Sequence, residues 1–249
     1  MGFAAGFFIF PHVIHWSWWL VLLLALGGCA MAIAEWTGFR AASQLDVTPF
    51  QTINRLTGVT AILLGWSVLG EGLGRYQLIG AITILVAALL AIWSPVRRTK
   101  LGQIIHLDAH AAALALISAI MLGIALVTEK AVLGHMDIGG GLLVGWGSHA
   151  LAMIVLAAKD LTRKNRDLFR GYELRWSTLM GVANGLNGVF YVYAVVHADN
   201  VSLITALTAV TLPLAVLASY LFLHEREHHF LMWTSLGISF AGLLISALH

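Results

Sequence analysis

The sequence predicts an all-α, polytopic transmembrane helix bundle of about eight full spans plus an N-terminal stub, and three observations predict it. Apolar residues make up 59% of the chain and charged residues only 10%, whereas a soluble domain carries about 25% charged residues. Apolar runs long enough to cross a bilayer recur along the chain. One long segment also occurs twice, so we expect an internal helical repeat.

The duplicated segment occupies residues 46–93 in its first copy and 199–248 in its second. Each copy begins at an Asp, continues as a membrane-length apolar run, passes an acidic turn and ends in a second apolar run with Gly and Ala. The turns read Gly70-Glu71-Gly72 and His224-Glu225-Arg226-Glu227. Self-similarity over this length constrains the fold more than any single residue does.

All spans should be helices, because only helices and closed barrels satisfy backbone polar groups in lipid, and these runs exceed a barrel strand. Met1–Phe10 is apolar but stops at Pro11 and is too short to span, so we interpret it as the stub of a longer helix. The predicted spans are Trp16–Arg40, Thr48–Leu69, Tyr76–Trp93, His110–Leu133, Gly140–Ala158, Leu179–His197, Val201–Leu223 and Phe230–Leu248.

Basic residues are distributed unequally between loops on alternate faces of the predicted bundle. One face receives Arg40, the basic loops 95–103 and 159–175, and Arg226, whereas the other receives only Arg75 and Lys130. The positive-inside rule places the first face in the cytoplasm and the C-terminus outside. We expect an integral multi-pass protein of a bacterial inner (cell) membrane.

Several classes of function are disfavoured. The net charge of +2, with no Lys/Arg cluster interleaved with aromatic residues, argues against nucleic-acid binding. A single cysteine, Cys29, rules out an intrachain disulfide. No catalytic Ser/His/Asp set, phosphate-binding loop or CxxC pair is recognisable, so we expect no enzyme, no ATP-driven pump, no metal and no cofactor. The expected partners are a small-molecule substrate and the lipid bilayer, and a homodimer stays open.

Motifs in both halves resemble the EamA-like permeases of the drug/metabolite transporter superfamily. In the second half, the segment from Tyr193-Ala194 to Asp199 is followed by a helix containing Pro213, the turn Leu223-His224-Glu225-Arg226 and a final Gly/Ala helix. The first half matches through Ala41, Asp46, Gly70-Glu71 and Gly80. The resemblance covers about residues 16–248.

The resemblance implies two inverted helical repeats of five helices each and transport of small metabolites by alternating access. Residues 1–95 would form the first repeat and residues 96–249 the second. In this register Trp16–Arg40 is the third helix, so the first helix and most of the second are missing. The resemblance therefore implies an N-terminally truncated first repeat.

Glu35 and Arg55 are the strongest candidates for the substrate pathway, because charged side chains inside a span are costly and often functional. Each lies ten residues from Leu45, at the centre of the intervening turn. On antiparallel helices they should reach the same depth, about 10 Å inside the span. They could bind substrate or a proton together with neighbouring Asn54, or form a structural ion pair that locks the hairpin.

The second half offers softer candidates. Asn184 and Asn187 share a helix face, and Pro213 leaves a backbone carbonyl without its helical donor beside Thr208. His149, which lies inside a predicted span, could carry a proton. The competing interpretation is helix packing, since Ser, Thr, Asn and His commonly join transmembrane helices by hydrogen bonds.

Two rival functions come from other classes. His106 and His110, with the cluster His224, His228 and His229, resemble the histidine boxes of membrane di-iron oxidoreductases, although a third box is missing. Interfacial histidines account for the same clusters. The missing first helices would also fit a truncated membrane protein that transports nothing. The favoured prediction is a secondary transporter, which a proton gradient could drive. Its substrate would be a small amino-acid-like or amphiphilic metabolite.

Overall fold

A computed structural model describes residues 17–45, 47–72, 74–93, 97–98, 104–105, 108–133, 135, 138–163 and 230–246, with scattered positions between 175 and 190. Within these residues the chain is helical except for one short antiparallel ladder, in which β1 (Arg97–Arg98) pairs with β2 (Ile104–Ile105). The all-α class predicted from composition and apolar runs is therefore confirmed.

Where the structure describes them, the helices follow the predicted apolar runs, with ends displaced by two residues or fewer except at Ala158, beyond which the last helix of that span continues to Arg163. Their bounds are α1 Trp18–Ala42, α2 Val47–Asn54, α3 Leu56–Leu69, α4 Arg75–Trp93, α5 Ala109–Leu133, α6 Ile138–Gly141, α7 Gly147–Arg163 and α8 Phe230–Ser246. A π-helical segment, Leu142–Trp146, joins α6 to α7. Two predicted spans are therefore interrupted: Thr48–Leu69 at Arg55, and Gly140–Ala158 by the π-helical segment.

Four stretches among the described residues are long and apolar enough to cross a membrane: Trp18–Ala42, Pro49–Leu69, Ala109–Val132 and Gly139–Ala158. Many large apolar side chains on them face outward; on α7, Leu151 is 67% exposed and Val155 is 73% exposed. Such outward faces suit a lipid environment. The structure is thus compatible with a membrane protein, whereas the total of eight spans and the inverted repeats stay predictions.

The chain divides into two compact units. Unit 1 comprises Met1–Ile33 and Thr128–Ala198, and unit 2 comprises Ala34–Val127 and Asp199–His249. Helices α1 and α5 each contribute residues to both. These units group residues by contact, whereas the predicted domains 1–95 and 96–249 group them by sequence similarity, so the predicted domains stay a prediction.

In unit 2, α4 and α8 pack along each other at a close crossing. A methyl group at Gly242 would lie 2.9 Å from the carbonyl oxygen of Gly80 and 3.1 Å from the backbone nitrogen of Ile84. The largest core cluster joins small residues of α1, α4 and α5 to larger ones; its buried members are Ala41, Leu45, Ile53, Leu56, Ile84, Ala88, Ala111, Ala112, Ala115, Ala119 and Leu243. Small side chains allow close helix approach, as expected for packing in lipid.

In unit 1, the first half of α1 packs against the end of α5 and the π-helical segment. Leu24 and Val132 are buried together, with Leu20, Val21, Leu23 and Val144 around them. A methyl group at Gly28 would overlap the hydroxyl of Ser148 and the carbonyl of Gly145. The backbone of α1 therefore touches the start of α7, and only glycine fits at position 28.

Candidate functional site

Arg55 lies at a break inside a predicted span. Helix α2 ends at Asn54 and α3 begins at Leu56. Arg55 between them stays in the right-handed helical region, with φ −66° and ψ −14°, so the interruption is a local one within the stretch Pro49–Leu69. The backbone N–H of Arg55 is shared between the carbonyls of Gln51 (3.2 Å) and Thr52 (3.3 Å). Arg55 is six residues beyond Pro49, the start of the apolar span, which is about 9 Å of helix.

Local hydrogen bonds explain why the helix tightens at this point. The N–H of Gly58 donates to the carbonyl of Arg55 at 3.0 Å, an i to i+3 bond of the 3₁₀ type. The hydroxyl of Thr57 donates to the carbonyl of Asn54 at 2.7 Å. A hydroxyl thus binds a carbonyl at the junction, and this side-chain donor stabilises the interruption in an apolar setting.

The polar side chains at the break are partly buried. The Nη2 group of Arg55 donates to Oε1 of Gln51 at 3.2 Å, one helical turn earlier. Oδ1 of Asn54 is buried and has no hydrogen-bond partner among the described residues. A buried amide oxygen without a donor costs free energy, so Asn54 offers an acceptor that a bound ligand could use.

Glu35 lies on α1 and is half-buried in the same unit as Arg55. A methyl group at Gly38, one turn beyond Glu35, would lie 3.8 Å from Cζ of Phe50, which lies one turn before Asn54. On antiparallel helices, one further turn from this contact leads to Glu35 on α1 and to Asn54 on α2. Glu35 and the break therefore lie at the same depth, to within about one turn. The predicted Glu35–Arg55 pairing stays a prediction.

His149 lies in unit 1, near the start of α7, and is half-buried. Its ring meets the indole of Trp146 edge to face, with centroids 6.3 Å apart and an interplanar angle of 89°. The backbone nitrogen of His149 would lie 2.9 Å from a methyl group at Gly28. His149 therefore lies at a helix crossing, beside Trp146.

Sequence reasoning missed a polar contact between two segments of unit 1. The side chain of Trp146 hydrogen-bonds to Glu129, where the indole N–H can only donate and the carboxyl oxygen accepts. Glu129 is not among the candidates from the sequence, because it lies near the end of a predicted span. Seventeen positions separate it from Trp146 in the chain, so no local spacing signals their contact. The glycines at 139–141, 145 and 147 were the available sign of an irregular helix.

The remaining predicted pathway residues, Asn184, Asn187, Thr208 and Pro213, lie outside the described residues. The same holds for the histidine boxes except His110, which is exposed at the start of α5. Among the residues that the structure describes, no group of three or more His, Cys, Asp or Glu side chains could hold a metal ion.

The chain was compared with known proteins. No family model matches it, and no curated protein is significantly similar. Among solved structures, one described only as "Crystal structure of protein" superposes with a TM-score of 0.64 over 98% of this chain and 81% of its own, at 15% identity. At this identity the likeness concerns the fold alone.

Proposed function

We propose that the protein is a secondary transporter that moves a small metabolite across the membrane by alternating access. The observation that carries the proposal is the interrupted helix at Arg55, which places a cation and an amide oxygen inside an otherwise apolar span. Transporters commonly build their substrate sites from such discontinuous helices. An interruption that served packing alone would not require a charged side chain there.

The internal duplication supports this mechanism. The two copies end in α4 and α8, and these helices pack along each other in unit 2 through Gly80 and Gly242. Inverted repeats related by a pseudo-two-fold axis bring equivalent helices together in this way. The EamA-like resemblance belongs to the same proposal.

The charges at the break favour a zwitterionic substrate such as an amino acid. The guanidinium of Arg55 would bind a carboxylate, because its planar donors match two carboxylate oxygens. Glu35 would bind the ammonium group, with the Oδ1 atom of Asn54 as a second acceptor. Apolar walls would contact the substrate side chain.

The second half of the chain supplies further candidates for contact with substrate, which stay predictions; they are His149, Asn184, Asn187, Thr208 and Pro213. The driving force would be a gradient of substrate or of an ion such as the proton, because the sequence has no nucleotide-binding loop. We place the protein in a bacterial inner membrane on loop charge, with lipid and a small molecule as partners.

The test is uptake by the purified full chain reconstituted in proteoliposomes. A panel of labelled amino acids, with amines and carboxylic acids beside them, is offered under an imposed substrate gradient and a pH gradient. We expect saturable uptake of a zwitterionic member above that of protein-free vesicles. Failure of every member in a correctly folded preparation would favour the non-transporting alternative.

A further inference from the structure

The carboxyl group of Glu129 belongs to unit 1, whereas the side chains of Glu35 and Arg55 belong to unit 2. Glu129 lies on α5, three residues before the end of the span Ala109–Val132, and is only partly exposed. A span of this length slightly exceeds the hydrocarbon thickness of about 30 Å. Glu129 therefore lies just inside the apolar layer, where an ionised carboxylate is costly and a water-facing surface is near.

Trp146 fixes this carboxyl group from another segment. Its indole N–H donates to Glu129, and Trp146 itself is the last residue of the π-helical segment Leu142–Trp146. The extra residue of a π-helical turn rotates the side chains that follow, and such segments occur frequently at functional sites. The indole that contacts α5 therefore belongs to an irregular helical turn.

The indole is held on its other sides as well. A methyl group at Gly188 would overlap the six-membered ring of Trp146, so the ring rests directly on the backbone there. The imidazole of His149 meets the indole edge to face. Trp146 therefore contacts Glu129, Gly188 and His149 at once. A change in the charge of Glu129 would alter the surroundings of the indole ring.

We propose that Glu129 is the proton-carrying carboxyl group of this protein, with Trp146 as its positioning residue. In the step, one O–H bond of a hydronium ion breaks and one O–H bond forms on the carboxylate, which leaves a water molecule and a neutral carboxyl group, while the indole N–H keeps donating to its carbonyl oxygen. No other bond changes. This inference rests on the proposed transport function, for which it names the coupling ion.

Within the described part of unit 1, a small set of charged or titratable residues neighbours Glu129 along the chain or through Trp146, whereas Lys159, Asp160 and Arg163 belong to the far end of α7. Lys130 follows Glu129 on α5, His135 follows the end of α5, and His149 reaches it through Trp146. Within Trp18–Ile33 the sequence contributes only Cys29, which is exposed, and Arg175 is exposed on the described part of 175–190. An experiment must therefore distinguish an effect of Glu129 on Trp146 from an effect of His149.

The first experiment needs no substrate. Tryptophan emission of the full chain in lipid nanodiscs is titrated between about pH 5 and pH 9, and the signal of W146F is subtracted to isolate Trp146. We expect a pH-dependent Trp146 signal that E129Q abolishes, that E129D moves to another midpoint and that H149Q preserves. A signal that persists in E129Q and disappears in H149Q would overturn the proposal, as would a flat wild-type signal. If E129Q does not fold, an unchanged midpoint in E129D overturns it.

The second experiment links the proton to transport, using an amino acid that the wild type takes up. E129Q should lose accumulation driven by a pH gradient by at least about tenfold, while exchange of labelled for unlabelled substrate continues. Full gradient-driven accumulation in E129Q would overturn the proposal. A wild type that titrates but transports nothing would instead refute the proposed function, so the two failures are distinguishable.

Discussion

The hydroxyl group of Ser118 donates a hydrogen bond of 2.8 Å to the backbone carbonyl of Ala34, 84 residues earlier in the chain. This bond ties α5 to α1 at the residue that precedes Glu35. The same carbonyl accepts the hydroxyl of Thr37 at 3.2 Å, and both hydroxyl-bearing residues are buried. The backbone beneath Glu35 is therefore held by two donors, and the proposed binding role of Glu35 would need such rigid support.

Gly38 tests this support directly. A methyl group there would lie 2.9 Å from Oγ of Ser118 but 3.7 Å from its Cβ, so only the hydroxyl is in the way. We expect G38A to lower the free energy of unfolding by about 1–3 kcal/mol, and S118A by about 0.5–1.5 kcal/mol. Denaturation of the purified chain in detergent micelles measures both.

The double variant G38A/S118A is the control for that explanation. Because S118A removes the obstructing oxygen, the combined loss should be smaller than the sum of the two single losses. Strict additivity would mean that the alanine at position 38 acts through something other than Ser118.

Two glycines of α8 form a matched pair. A methyl group at Gly242 would collide with the backbone of α4, which cannot yield, whereas at Gly237 nothing lies within 4 Å. We expect G242A to destabilise the protein by about 1–3 kcal/mol. G237A should be neutral or stabilising by a few tenths to about 1 kcal/mol, since alanine favours helix. Equal effects on unfolding would refute the α4–α8 packing described above.

The turn after α3 depends on the backbone of Gly70. Its φ of +68° is left-handed, and the N–H groups of Gly70 and Glu71 both donate to the carbonyl of Gly65. We expect G70A to lower the free energy of unfolding by about 1 kcal/mol, because the Cβ of alanine disfavours this conformation. G72A is the control, since no positive φ is found there and nothing lies within 4 Å. A melting temperature lowered equally by both variants would contradict the assignment of this loss to the left-handed backbone of Gly70.

Much of the helical architecture was predictable because a single physical effect determines it. Apolar runs must cross lipid as helices, so the predicted spans Trp16–Arg40 and His110–Leu133 differ from α1 and α5 by two residues or fewer at each end. The interruption at Arg55 was not predicted, because neither glycine nor proline marks it. Asn54-Arg55, a polar pair followed by Thr57, was the available signal.

The candidate site was predictable only in part. Charge inside an apolar run makes Glu35 and Arg55 candidates, which stay predictions. The register of the α1–α2 hairpin follows from the short turn between the two helices. The Glu129–Trp146 contact was beyond reach, because it depends on the rotation of Trp146 about the helix axis within the π-helical segment. Hydropathy reports which segments are buried, but it does not report such rotations.

The central claim is that the charges at the interrupted helix bind the transported molecule, and uptake by paired variants tests it most directly. E35Q, R55Q and R40Q are compared in the same proteoliposomes with the amino acid that the wild type carries. Arg40 is the matched control, since it is exposed and stacks on Trp36 with its Cζ 3.9 Å from the ring centroid. Loss of one charged hydrogen bond should lower uptake about tenfold or more in E35Q and R55Q, while R40Q keeps wild-type uptake. Wild-type uptake in both E35Q and R55Q would contradict the claim.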